Sequence, residues 1–116
     1  SDLPVDIAAI RRRAVPLGWT AEEEERYLSD FWAAVDALQD SEKTQFVVFA
    51  TASSRVPLHG WEALRIEIQK NGCDDTRLPT AYTCFSLLLL PLYSSYEVLQ
   101  KNLRIAISNS EGFGLQ

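Results

Sequence analysis

The chain has one histidine and two cysteines among its 116 residues, and that scarcity removes several chemistries at once. A structural zinc site uses four Cys or His donors at characteristic spacing, and His59, Cys73 and Cys84 do not supply such a pattern. A papain-like hydrolase needs an imidazole to activate its thiol and a further group to orient that imidazole. His59 is the only candidate, and its setting in Pro57-Leu58-His59-Gly60 reads as a surface loop. Basic charge is also short. The net charge of -5 argues against nucleic-acid or anionic-membrane surfaces, which need basic patches. Arg11, Arg12 and Arg13 form the one basic run and read as a solvated helix face. No apolar stretch approaches the ~20 residues of a membrane-spanning helix. The greasiest run, Leu87 to Leu90, ends at Pro91 and reads as a buried strand. No secretory signal is legible, so reduced thiols in a cytoplasmic or nuclear setting are expected.

What remains is an ordinary globular balance, 47% apolar and 23% charged, in a length that suits one hydrophobic core. Asp6 to Ala14 has helical spacing through Ile7 and Ile10, with Asp6 as a cap. Pro16-Leu17-Gly18 then interrupts it and reads as a hinge or linker. Thr20 and Glu23 form a capping box, and the helix behind it puts Tyr27, Leu28, Phe31, Trp32, Val35 and Leu38 on one side. A further helix runs from Asp40-Ser41 to about Ala50, buried through Phe46, Val47 and Phe49. Thr51 to Gly60 reads as an ordered loop. Arg65 to Gln69 alternates as a half-exposed strand with Ile66 and Ile68 inward. Asn71 to Asp75 is a turn, and Thr80 to Leu90 is rich in strand formers. Ser94 and Glu97 suggest a second capping box, opening a helix with Leu99, Leu103, Ala106 and Ile107 inside. The expected fold is α/β (α+β): a small mixed sheet of about four strands packed with about four helices.

Taken alone, Cys84 between Thr83 and Phe85 reads as a small buried hydrophobe. Its wider surroundings say more. Leu78-Pro79-Thr80-Ala81-Tyr82-Thr83-Cys84-Phe85, followed by Leu90-Pro91-Leu92-Tyr93, resembles the active-site segment of HECT-type ubiquitin-protein ligases. Three further blocks match in order. Phe31-Trp32 with Val35 resembles the Phe-Trp pair of the family's C-terminal lobe. Ser53-Ser54-Arg55-Val56-Pro57, then Gly60-Trp61, resembles its Ser-Arg-Val-Pro loop and Gly-aromatic pair. Ala106-Ile107-Ser108, then Glu111-Gly112-Phe113-Gly114-Leu115, resembles its C-terminal signature. The likeness runs from about Val5 to the last residue.

The resemblance implies that residues 19–116 are a HECT C-terminal catalytic lobe, HECT C-lobe-like in fold, and that residues 1–18 are the hinge or the end of an N-terminal lobe. It implies that Cys84 is a nucleophile taking ubiquitin as a thioester from a ubiquitin-conjugating enzyme, which the missing N-lobe would recruit. Thr83, Phe85, Leu78 and Pro79 would support the thioester. Ubiquitin would then pass to a lysine of a protein substrate. Because that amine has an unperturbed pKa of about 10.4, the step needs orientation and deprotonation. The family's tail assists it, which points here to Phe113 and Glu111, with the terminal carboxylate of Gln116 as another acidic helper. No cofactor or metal is implied, and neither nucleic acid nor membrane is an expected partner. Cys73, in its polar loop, reads as a bystander.

Four positions depart from the family pattern: Tyr82 stands where histidine is common, Ser86 where asparagine is usual, Ala52 where glycine often precedes the serines, and Gln116 where an acidic residue is frequent. None removes the nucleophile, and lysine discharge is the step expected to differ. The other class of function left open is a non-catalytic ubiquitin or protein interaction module that keeps the fold and uses Cys84 for packing.

Overall fold

The computed structural model describes residues 4–109. Four helices, α1 (Ile7–Arg13), α2 (Ala21–Asp36), α3 (Asp40–Thr51) and α4 (Tyr96–Ser108), surround four short strands, β1 (Val15–Leu17), β2 (Glu67–Lys70), β3 (Thr80–Tyr82) and β4 (Leu87–Leu90). The sheet order is β1-β2-β4-β3, with β1, β2 and β4 parallel and β3 antiparallel to β4. The fold is therefore the mixed α/β arrangement expected from the sequence.

Local signals explain where the helices start. The Asp6 side chain caps α1 by accepting from the Ala9 N–H at 3.1 Å. At α2 the Thr20 hydroxyl accepts from the Glu23 N–H at 3.1 Å, and the Glu23 carboxylate accepts from the Thr20 N–H at 2.9 Å. Glu22, Glu23 and Glu24 in its first turn also complement the positive end of the helix dipole. Glu42 accepts in the same way from the Gln39 N–H at the start of α3.

Helical spacing on α2 buries Leu28, Phe31, Trp32 and Val35. Phe31 and Trp32 meet edge to face with centroids 5.1 Å apart, and Phe46 of α3 lies 6.2 and 6.3 Å from them. Such pairs contribute about 0.5–1.5 kcal/mol each beyond simple burial. Ile66 and Ile68 below them, Leu88 and Leu90 of β4, and Leu99, Leu103 and Ile107 of α4 complete one continuous core.

Several local expectations change. The linker expected at Pro16-Leu17-Gly18 is an edge strand: Val15, Pro16 and Leu17 pair with Glu67, Ile68 and Gln69. Proline fits there because an edge strand has one side without ladder partners. Ile7, Ala9 and Ile10 of the preceding helix lie in the same core as the rest. Gly18, at φ 80°, turns the chain so that the Trp19 indole N–H reaches the Ile68 carbonyl at 2.9 Å. The strand expected over 65–69 runs from Glu67 to Lys70, with Ile66 just ahead of it accepting from the Val15 N–H. Phe49 is only half-buried, and Ala50 takes the inner position on α3. The last helix is capped by Ser95, whose hydroxyl accepts from the Val98 N–H. Ser94, expected to be that cap, has a different partner.

A polar bolt crosses the core between α2 and the segment after β4. The Tyr27 hydroxyl donates to the Pro91 carbonyl at 2.6 Å and accepts from the Tyr93 N–H at 3.1 Å. Burial pushes its pKa up to about 12, so the phenol stays protonated and keeps both roles at neutral pH. Tyr27→Phe would leave two half-buried backbone groups without this partner, at a cost of about 1–3 kcal/mol. Urea denaturation should show a lower midpoint with an unchanged m-value.

Candidate functional site

The segment from Thr80 to Leu90, read as rich in strand formers, is a hairpin with a short helical turn at its tip. Thr80, Ala81 and Tyr82 pair with Leu89, Leu88 and Leu87. Tyr82 thus lies opposite Leu87, and four residues must reverse the chain between them. Thr83–Phe85 do so as one 3-10 turn, closed by a hydrogen bond from the Ser86 N–H to the Thr83 carbonyl at 3.2 Å. Ser86 completes the reversal in the left-handed region at φ 48°, ψ 44°. Its carbonyl accepts from the Glu67 N–H at 3.0 Å, tying the turn to β2. α3 packs against this turn.

The consequence for Cys84 is exposure. The expectation drawn from the cysteine and its immediate neighbours, a small buried residue, is overturned by the turn: a reversal this tight turns its side chains away from the sheet's packed face. Phe85 is 75% exposed and Tyr82 59%. Thr83 is half-buried, as is Leu78, while Pro79 is buried. Pro79 anchors the entry to β3, and Leu78, Pro79, Thr83 and Phe85 fall on the one hairpin that presents Cys84. Cys73 is exposed on a separate loop, and His59 is exposed in the loop after α3. Phe113, Glu111 and Gln116 lie outside the described residues.

The base of the hairpin is clasped. The Tyr93 hydroxyl donates to the Arg77 carbonyl, one residue before Leu78. Burial raises the Tyr93 pKa, so this donor keeps its proton. Asn102, a buried polar residue of α4, donates to the Asp75 carbonyl at 2.9 Å. The Asp75 carboxylate accepts from both the Ser94 N–H, at 2.9 Å, and the Ser94 hydroxyl. Asp74 closes its own turn by accepting from the Thr76 N–H and hydroxyl at 2.9 and 2.7 Å. The sequence left this clasp unread because Ser94 and Ser95 are adjacent and either could cap α4. The signal available was the serine pair itself, facing a loop with two aspartates.

The second loop near the hairpin begins at Ala52, which ends α3 in the left-handed region at φ 64° with its N–H on the Val48 carbonyl. The serines that follow stitch it together: the Ser53 N–H donates to the Thr51 hydroxyl at 3.2 Å, and the Arg55 N–H to the Ser53 hydroxyl at 3.1 Å. Gly60 then adopts φ 89°, ψ 178°, a region essentially restricted to glycine. That turn buries Trp61, whose indole donates to the Pro4 carbonyl at 2.9 Å. The Gly60-Trp61 pair therefore has a backbone reason for its glycine and a packing reason for its aromatic.

A mixed α/β domain that presents one cysteine on a clasped hairpin is the class these features define. The comparisons then give its family. The model for the HECT-domain (ubiquitin-transferase) matches residues 3–116, and the chain belongs to that family. It is 39% identical over 114 residues to a Schizosaccharomyces pombe protein named "Probable E3 ubiquitin protein ligase C167.07c", covering 97% of this chain and 11% of that protein. It is 36% identical over 113 residues to the mouse "Apoptosis-resistant E3 ubiquitin protein ligase 1", covering 96% of this chain and 14% of that one. With human "Probable E3 ubiquitin-protein ligase HERC3" it shares 41% over 85 residues, 73% of this chain and 8% of the relative. The chain thus spans about a tenth of the length of these relatives.

Two departures from the family pattern acquire a physical meaning. Ala52 and Ser86 are the non-glycine residues with positive φ among those described, and they replace glycine and asparagine, the two residue types that enter the left-handed region most readily. Ala52→Gly should stabilise the domain by about 0.5–1 kcal/mol, and Ser86→Asn should stabilise it by less. Chemical denaturation of the single and double variants checks both the sign and the additivity.

The clasp also makes a pH prediction. Hydrogen bonds from the Ser94 hydroxyl and then the Ser94 N–H hold the Asp75 pKa below the usual carboxylate value. Its stabilisation is therefore present above the unfolded value of about 3.9 and is lost as pH falls through the lower folded value. Stability measured against pH should fall less steeply below about pH 4 in Ser94→Ala than in the parent.

Proposed function

We propose that this chain is the catalytic lobe of a HECT ubiquitin ligase and that Cys84 carries ubiquitin as a thioester between a ubiquitin-conjugating enzyme and a substrate lysine. The observation that carries the reading is the exposed Cys84 at the tip of its hairpin, in a chain that matches the HECT family from residue 3 to residue 116.

Transfer begins with the Cys84 thiolate, the reactive form of a cysteine, attacking the carbonyl carbon of the thioester on the conjugating enzyme. A new C–S bond forms to Cys84 Sγ as the old one breaks, and the electron pair leaves on the conjugating enzyme's sulfur. One thioester replaces another, so the exchange is close to energetically neutral and depends chiefly on alignment. This accounts for a site without a neighbouring imidazole on the hairpin. A nucleophile that must meet a thioester held by another protein needs an open approach, and the tight turn supplies it. Thr83 and Phe85 flank the sulfur, and Leu78 and Pro79 hold the strand that leads to it. The conjugating enzyme would dock on a part of the ligase beyond this chain. In the second step the tail around Phe113, with Glu111, would cover the thioester and help orient and deprotonate the incoming lysine.

Ubiquitin bearing a C-terminal thiol-reactive group tests the first step. Labelling should vanish in Cys84→Ala and persist in Cys73→Ala. Labelling that survives Cys84→Ala would sink the proposal and leave a domain that uses the same fold for binding alone.

A further inference from the structure

Four large apolar side chains stand exposed among the described residues: Leu58, Tyr82, Phe85 and Ile105. Two of the four lie within two residues of Cys84. An exposed ring forgoes the stabilisation that burial would bring, and clustered apolar exposure marks contact surfaces more often than isolated exposure does. The same stretch is empty of charge: no Asp, Glu, Lys, Arg or His occurs from Leu78 to Tyr96. The hairpin that holds Cys84 therefore offers an incoming amine no carboxylate of its own. What it does offer is aromatic surface.

Lysine is suited to such a surface. Its four-carbon stem packs on apolar groups while its amine stays in water, and an ammonium also favours the face of an aromatic ring. We propose that Tyr82 and Phe85 are specificity-determining residues for the discharge step, their exposed rings holding the stem of the acceptor lysine so that its nitrogen lies over the Cys84 thioester. This rests on the reading of Cys84 as the ubiquitin carrier. The acceptor ammonium first gives a proton to solvent. The neutral amine attacks the thioester carbonyl, a C–N bond forms, and the C–S bond breaks with its electron pair leaving on Cys84 Sγ as thiolate. The nitrogen's second proton passes to solvent, giving the amide. The rings enter no bond change; they shorten the search for a productive pose.

The test uses the intact ligase that carries this domain. It is charged with ubiquitin through its conjugating enzyme, recharging is stopped, and the thioester is chased with either free lysine or hydroxylamine at one pH. Lysine has a stem to be held and hydroxylamine has none. In Tyr82→Ala, charging and the hydroxylamine rate should match the parent, while the lysine rate at low concentration falls about fivefold; in Phe85→Ala, whose ring also flanks the thioester, the lysine rate should fall further than the hydroxylamine rate. The loss should appear as a raised KM for lysine, and Tyr82→Phe should restore it. Equal losses with both nucleophiles, or unchanged lysine discharge, would overturn the assignment, as would impaired charging with an unchanged ratio of the two rates, which would give the rings to ubiquitin. A parent ligase that forms no thioester on Cys84 would instead refute the underlying reading, so the two failures are separable.

Discussion

The arrangement depends most on the pairing of β3 with β4. β4 is bonded on both sides, parallel to β2 and antiparallel to β3, and its Leu88 and Leu90 are fully buried. A one-residue slip would carry those leucines to the opposite face, so the core dictates the register. That register brings Tyr82 opposite Leu87 and leaves only four residues to turn the chain. A reversal this short has few backbone solutions. The one adopted is a 3-10 turn ending in a left-handed residue, and it leaves Cys84 exposed among the described residues. The exposure of the sulfur thus follows from the burial of two leucines a few residues away.

The hairpin is built with unequal ends. At its base, Tyr27, Tyr93 and Asn102 tie together four stretches of chain, at 27, 75–77, 91–93 and 102, through part-buried hydrogen bonds to backbone groups. At its tip the turn closes with a single 3.2 Å bond and one link to β2. A rigid base limits where the tip can go, and an open tip lets a large partner reach it. The role proposed for Cys84, receiving ubiquitin from one protein and giving it to another, would need both properties, since a buried thiol could meet neither.

Period and capping made much of the scaffold legible in the sequence. The α2 stripe, the Thr20–Glu23 box, the buried β4 run and the alternation around Ile66 and Ile68 all express local rules that packing does not override. The errors have a common cause. Pro16 and Leu17 belong to a strand because Glu67–Gln69 lies beside them, and no local pattern reports a neighbour fifty residues away. Ser94 loses its place as a cap because Asp75 claims it from across a loop. Cys84, read by its immediate neighbours, sits among strand formers; only the hairpin register makes it exposed. Its recognition rested on a wider set of residues, matched as blocks to a family.

The two left-handed residues show what such blocks encode. Glycine at the end of α3 and asparagine after the Thr-Cys-Phe triplet are the least costly occupants of conformations that the fold requires, and Ala52 and Ser86 adopt those same conformations at greater cost. The fold tolerates the strain because the surrounding contacts over-determine the backbone: Ala52 is held by its bond to Val48, and Ser86 by bonds to both Thr83 and Glu67. Strain of this kind lowers the stability of the turn relative to the core beneath it without changing where the turn lies. It falls at the reversal that carries the sulfur and at the end of α3, the helix packed against that reversal. On the proposed reading, Tyr82 would act from a backbone whose place is fixed by its register with Leu87 and whose strain lies a few residues on, at Ser86.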